Sequence, residues 1–224
     1  MRHHARDERH ALAKTLRSAG AEAATLCGDW STAQLAAHLV LRERSLIELG
    51  GRLPVKRLHE ASERLIRELA GREPYERLVE LVDRGPDWRE VRWPLPTAAV
   101  WSLPPVREAA NLGEYLIHHE DVRRAGPDWR PRELPVDVQM AVWKRLPFTA
   151  RLAMRKVSVA VELAWPSHGR LRVGPGRGGP AAVRITGDPV ELVLFASGRI
   201  GVARVEYVGD PDDVALVRGS KIAL

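Results

Sequence analysis

A helical bundle followed by a small α+β unit is the fold class the sequence predicts, and three observations predict it. Apolar side chains recur at helical spacing through most of the stretch from Asp7 to Met154. After Val157 the apolar runs become short, β-branched and bounded by Gly or Pro, the pattern of strands. Among those strands lies "DPVELVLFASGR", in which Asp188 as N-cap, Pro189 in the first turn and Gly198 at the end frame one further helix. The change of pattern places the boundary near residue 155, with units of 1–155 and 156–224.

The elements follow in order. The segment from Asp7 to Ala19 carries Ala11, Leu12, Thr15 and Leu16 on one side of a helix. After the loop "GAEAATLCGDW", Ser31 opens "STAQ", a Ser-x-x-Gln capping box that should start a helix running through Leu49. A third helix covers Arg57 to Ala70, and Pro74 opens a shorter one in "PYERLVELVDRG", at a position that tolerates its missing N–H. The stretch "DWREVRWPLPTAAVWSLPPV" crowds Trp with Pro and reads as a long connection, a class that often carries function. Helices resume from Val106 to Ala125 and from Val136 to Met154. Then "VSVAVELAW", "GRLRVG", "AAVRITG" and "ARVEYVGD" read as four strands, with "GPGRGGP" as a hairpin loop that lacks the Gly-Lys-Ser/Thr ending of a phosphate loop. "GPDWR" occurs at Gly85 to Arg89 and at Gly126 to Arg130, each time after a helix, as a stop turn with its Trp docking back.

Composition narrows the function classes. The 224 residues are 45% apolar, enough for a core, and 35 basic against 29 acidic side chains leave a net charge of +6. Arginines alternate with acids, as in "LRERSLIELGGR", which is how solvated helix faces look, and no run of five like charges appears. Nucleic acid is therefore not an expected partner. Cys27 is the only cysteine, so an intramolecular disulfide and a Cys-rich zinc site are both excluded. With no apolar leader segment and no membrane-length apolar run, a cytoplasmic protein that engages no membrane is expected, as monomer or homodimer.

One stretch carries more chemistry than a core helix needs. "GEYLIHHEDVRRAG" gathers Glu114, His118, His119, Glu120 and Asp121. Glu114 and His118 stand four residues apart and share a face, with Asp121 nearly a turn further along, while His119 points about 100 degrees away. Glu114 and His118 can thus converge on one ion, as in bundles that build metal sites from inward Glu and His. A third ligand is required, and His38, on or beside the buried stripe of its helix, is the candidate. A helical Glu–His ion pair with a hydrogen-bonded core His38 has the same spacing, so geometry alone leaves both readings open. His3, His4 and His10 near the terminus, His59 among charges and His168 in "PSHGR" are poorer candidates.

"LCGDWSTAQLAAHLVLRER" resembles the first metal-ligand motif of the DinB-like proteins, and more closely that of the mycothiol-dependent maleylpyruvate isomerase group of actinobacteria. "NLGEYLIHHEDVRRA" resembles that group's second motif, and "VRITGDPVELVLFASGR" followed by "VEYVGDP" resembles its C-terminal domain. The resemblance implies an up-and-down four-helix bundle with a divalent ion, usually zinc, on His38, Glu114 and His118. It implies for Asp121 a supporting polar role and for His119 a structural one. The Trp- and Pro-rich connection is shared with uncharacterised metal-binding relatives, and the segment from Pro54 to Val82 carries no catalytic motif.

Three protein ligands leave positions open on the ion, the arrangement of catalytic zinc. Such an ion can lower the pKa of a low-molecular-weight thiol such as mycothiol, for isomerisation or S-transfer on an electrophilic or anionic small molecule. Arg199, on the related group's Gly-Arg motif, and Arg42, one turn beyond His38, are the candidate catalytic arginines for an anion. Cys27 is read as a small packed residue. A metal-dependent hydrolase, with Asp121 or Glu120 as base, and a non-enzymatic ligand binder with a structural metal are the alternatives.

Overall fold

The structure, a computed structural model, describes residues 3–44, 56–85, 104–175, 180–220 and 222, with side chains omitted for 104–110. The chain is α+β and forms two compact units, residues 1–130 and 131–224. Among the described residues the first unit holds five helices: α1 (His4–Ala19), α2 (Thr32–Arg44), α3 (Lys56–Arg72), α4 (Tyr75–Arg84) and α5 (Pro104–Arg123). α1 packs chiefly on α5 and then on α4, while α2 packs on α3 and α4. Leu12 and Leu16 of α1, Leu35 and Leu39 of α2, Ile66, Leu78, and Leu112 and Leu116 of α5 are fully buried between them. The apolar face of each helix closes one core.

Local chemistry explains the ends that matter for the site. At the start of α2 the capping box forms: Ser31 N–H donates to Gln34 Oε1 at 2.9 Å, and Gln34 N–H reaches Ser31 Oγ more loosely at 3.5 Å. The loop before it supplies acceptors for the next donors, Thr32 N–H to Ala23 O at 2.9 Å and Ala33 N–H to Ala21 O at 3.0 Å. The start of α2 is thereby fixed to the preceding loop. The expected extension of this helix to Leu49 lies outside the described residues, as do the Trp- and Pro-rich connection from 86 to 103 and most of the first "GPDWR". In the second copy Trp129 lies under the Arg124 guanidinium, 4.4 Å from its ring centroid, so that Trp does dock back on the helix it follows.

The second unit begins earlier than the change of sequence pattern. α6 (Val136–Trp143) and α7 (Leu146–Ala153) pack on α8 (Pro189–Ala196), so residues 131–155 belong with the sheet-bearing unit and not with the bundle. The single helix expected from Val136 to Met154 is broken into these two. Pro147 cannot donate the N–H a continuous helix needs, and it takes an early position of α7 instead.

The sheet comprises β1 (Val161–Trp165), β2 (Gly169–Val173), β3 (Val183–Thr186) and β4 (Glu206–Gly209) in the order β2-β1-β3-β4. β1 pairs antiparallel with β2 and parallel with β3, and β3 pairs antiparallel with β4. Val161, Leu163, Leu171, Val173, Val183 and Ile185 alternate inward, while Arg184 and Glu162, register partners on the other face, join at 2.7 Å. β2 and β3 lie on opposite sides of β1 and so do not pair as the hairpin expected there, while residues 176–179 of "GPGRGGP" lie outside the described residues.

α8 is buried along its whole length and ends in a Schellman turn. Arg199 N–H bonds Leu194 O at 2.9 Å, Gly198 N–H bonds Phe195 O at 3.0 Å, and Gly198 sits at φ +88°. A last helix, α9 (Pro211–Gly219), is capped by Asp210, whose carboxylate accepts from Asp212 N–H at 2.9 Å. No described helix is long and apolar enough to cross a membrane.

Candidate metal centre

Two helices present matching ladders. α2 offers His38 and, one turn on, Arg42; α5 offers Asn111, Glu114, His118 and Asp121 at spacings of three and four. The rings of His38 and His118 approach edge to face with centroids 5.1 Å apart. One ligand atom each from His38, Glu114 and His118 lies within 4.8 Å of the others, so the three residues nominated from spacing are brought together. Both histidines are buried, at 7% and 8% exposure, while Glu114 keeps part of its side chain toward solvent.

The orientation of His118 decides which nitrogen faces this group. Its Nδ1 lies 2.9 Å from Asp121 Oδ2, and its Nε2 lies 3.6 Å from Glu114 Oε2. A proton on Nδ1, held by a fully buried carboxylate, leaves the Nε2 lone pair on the side of Glu114 Oε2. Burial pulls the His118 pKa down, but hydrogen bonds to Asp121, then Cys27 and Glu114, outweigh it and hold the pKa well above the usual histidine value. Without a cation these partners favour the protonated ring, which lies between two carboxylates.

The other expected residues fall as follows. Arg42 is tied into the site: its Nε stands 3.4 Å from Glu114 Oε2 and its NH1 donates to Asn111 Oδ1 at 2.8 Å. Arg199 lies in the second unit, where its NH1 donates to Ser197 O at 2.7 Å across the end of α8. His119 points away from His118 and joins α5 to α1, with Nδ1 2.7 Å from Glu8 Oε1 and Nε2 2.8 Å from Thr15 Oγ1. Glu120 is fully buried and held by Arg123 at 3.0 Å and Arg124 at 2.6 Å. His10 pairs with Asp83 and His59 is exposed.

Two residues do more at the site than their sequence context shows. Cys27 is not simply a packed side chain: it is half-buried, its thiol donates to Asp121 Oδ2 at 3.0 Å, and its sulfur lies 3.5 Å from His118 Nδ1. Cys27, His118 and Asp121 form a second group of ligand atoms within 4.8 Å of one another. Trp30 covers His38, with ring centroids 5.1 Å apart and tilted by 47°. Their order just before a capped helix was visible, but the fold of that loop was not.

No protein-family model and no curated protein matches the chain. A solved structure does: the crystal structure of a histidine-to-alanine mutant of the mycothiol-dependent maleylpyruvate isomerase, with a TM-score of 0.56 and 18% sequence identity. The match spans 91% of this chain and 90% of that one, so it takes in the helices and the sheet together. The chain is similar to that isomerase in fold.

Proposed function

We propose that this chain binds a divalent cation, zinc by donor preference, through His38, Glu114 and His118, and acts as a thiol-dependent transferase or isomerase on a small electrophilic or anionic molecule. The observation that carries the reading is the convergence of those three ligand atoms, from two helices, within 4.8 Å. Two imidazoles and one carboxylate suit zinc, and three protein ligands leave the coordination open, as in catalytic centres. A divalent cation bound there supplies the Lewis acidity that lowers the pKa of an exogenous thiol. The fold neighbour is a mycothiol-dependent isomerase, which supports mycothiol as the thiol class.

The chain's own residues do the remaining work. Asp121 holds the Nδ1 proton and so aims Nε2, Arg42 fixes the Glu114 carboxylate, and Trp30 shields one side of the His38 ring from water. Arg42 is thus a positioning residue as well as a candidate for an anion, and Arg199 is proposed as an anion fork on its sequence position. A hydrolase would need a general base among the nearby carboxylates. Glu120 is neutralised by two guanidiniums and Asp121 is engaged by His118 and Cys27, which weighs against that alternative.

Metal analysis of the purified protein and of His38→Ala tests the reading. Stoichiometric metal that the variant loses is expected; unchanged metal in the variant overturns the ligand set. Turnover of electrophiles only in the presence of a thiol is then expected. Hydrolysis of esters or amides without thiol would assign the hydrolase instead, and ligand-dependent thermal stabilisation without turnover would assign a binding protein.

A further inference from the structure

Two groups of side chains meet on the ring of His118, one at each nitrogen. Glu114 stands at Nε2, with a His38 nitrogen within 4.8 Å of the same group; Cys27 and Asp121 stand at Nδ1. The second group has separations of 3.0 Å from Sγ to Oδ2, 3.5 Å from Sγ to Nδ1 and 2.9 Å from Nδ1 to Oδ2. Tetrahedral ligands at ordinary zinc–sulfur, zinc–nitrogen and zinc–oxygen distances stand about 3.3–3.6 Å from one another. Sγ and Nδ1 already stand at such a spacing, and Asp121 Oδ2 needs to move away from them by only about 0.5–0.6 Å to admit an ion.

We propose that Cys27, Asp121 and His118 Nδ1 form a second cation position, back to back with the first across one imidazole and selective for thiophilic ions such as zinc or cadmium. A thiolate makes this donor set softer than the His-His-Glu set, so the two positions rank metals differently. The thiol is already placed. Leu26 N–H donates to Asp121 O at 3.1 Å, Cys27 N–H to Thr25 Oγ1 at 3.1 Å, Thr25 Oγ1 to Trp30 O at 2.8 Å and Trp30 N–H to Cys27 O at 3.2 Å. These bonds fix the loop against α5, so ligation immobilises little that is not already ordered. Cys27 is itself only half-buried, so the group is not sealed in the core.

The proton balance is simple. Binding at the second position releases the Cys27 thiol proton and the ring proton at Nδ1 to solvent, and Asp121 changes from hydrogen-bond acceptor to ligand. Filled alone, it leaves the remaining ring proton on Nε2, facing Glu114. Filled together with the first, it makes the ring an imidazolate whose two lone pairs point to opposite edges. The proposal does not rest on the thiol chemistry above, and either position can be occupied without the other.

Cobalt(II) titration of the purified protein reads the two positions separately, because only a cysteine ligand gives thiolate-to-cobalt absorption in the near ultraviolet. Two equivalents are expected, one of them carrying that band. Cys27→Ser should lose the band and one equivalent while keeping the other; His38→Ala should keep the band and lose the equivalent without it. Circular dichroism checks that both variants fold. No thiolate band in the wild type at saturating cobalt overturns the proposal, as does a band that disappears in His38→Ala, since the thiol would then belong to a single centre. Retention of both equivalents in His38→Ala, with the band intact, sinks the first ligand set and leaves this one standing.

Discussion

In the proposed centre a proton and a cation would compete for the same lone pair on His118. Asp121, Cys27 and Glu114 together hold the His118 pKa well above the ordinary value despite burial, so below that raised pKa a cation must expel a proton to bind at Nε2. Affinity for the first ion should rise by about tenfold per pH unit until the ring is neutral and then level off, as read by competition with a chelating dye across pH. Asp121→Asn removes the strongest of the partners that raise this pKa. The break in the profile should move to lower pH, and the plateau affinity should fall about ten- to a hundredfold, the usual effect of losing a carboxylate behind a ligating imidazole. Glu114, His118 and His38 could be nominated from the sequence because helix geometry alone sets which side chains share a face. The partners of Cys27 could not, because the loop that carries it takes its shape from hydrogen bonds to a helix 94 positions along the chain. His119 was legible as pointing elsewhere, yet Glu8 and Thr15, which receive it, lie on the first helix and share no local pattern with it.

At the level of elements, caps were the most readable feature and breaks the least. Ser31 bonds Gln34 reciprocally at the start of the helix that carries His38, so Ser31→Ala should cost about 1 kcal/mol in denaturant unfolding. Gly198 is a sharper case. A Cβ there would come within 2.5 Å of Ile222 O, on a backbone at φ +88°, and Gly198→Ala should lower stability by at least about 1–2 kcal/mol, visible as a lower melting temperature. The Asp-Pro start and Gly stop that mark α8 in the sequence recur as "DPDDVALVRG", and α9 stands there. The interruption at Lys144 and Arg145 was masked because apolar spacing runs on through Pro147, although the missing donor was plain to see.

Across the whole molecule, every residue of both candidate cation positions comes from the first unit. Saturation with metal should therefore slow amide exchange in α2 and α5 and leave β1–β4 unchanged. Uniform protection of the sheet and the helices on metal addition would contradict this. The α+β class and the order of strands and helices were legible from periodicity, but the division between units was not. α6 and α7 read as a continuation of the bundle, and only their packing on α8 assigns them to the sheet-bearing unit. The distance along the chain between Cys27 and Asp121 also has a meaning in time. At the ordinary pace of a ribosome, about 5–20 residues per second, the thiol is made roughly 5–20 s before the carboxylate that orients it. Through that interval His38 and Cys27 wait on a nascent chain that has no α5, and a translation product stalled ahead of Glu114 should hold no cation in either position. Under the proposed ligand sets, loading would thus be an event that follows synthesis of α5.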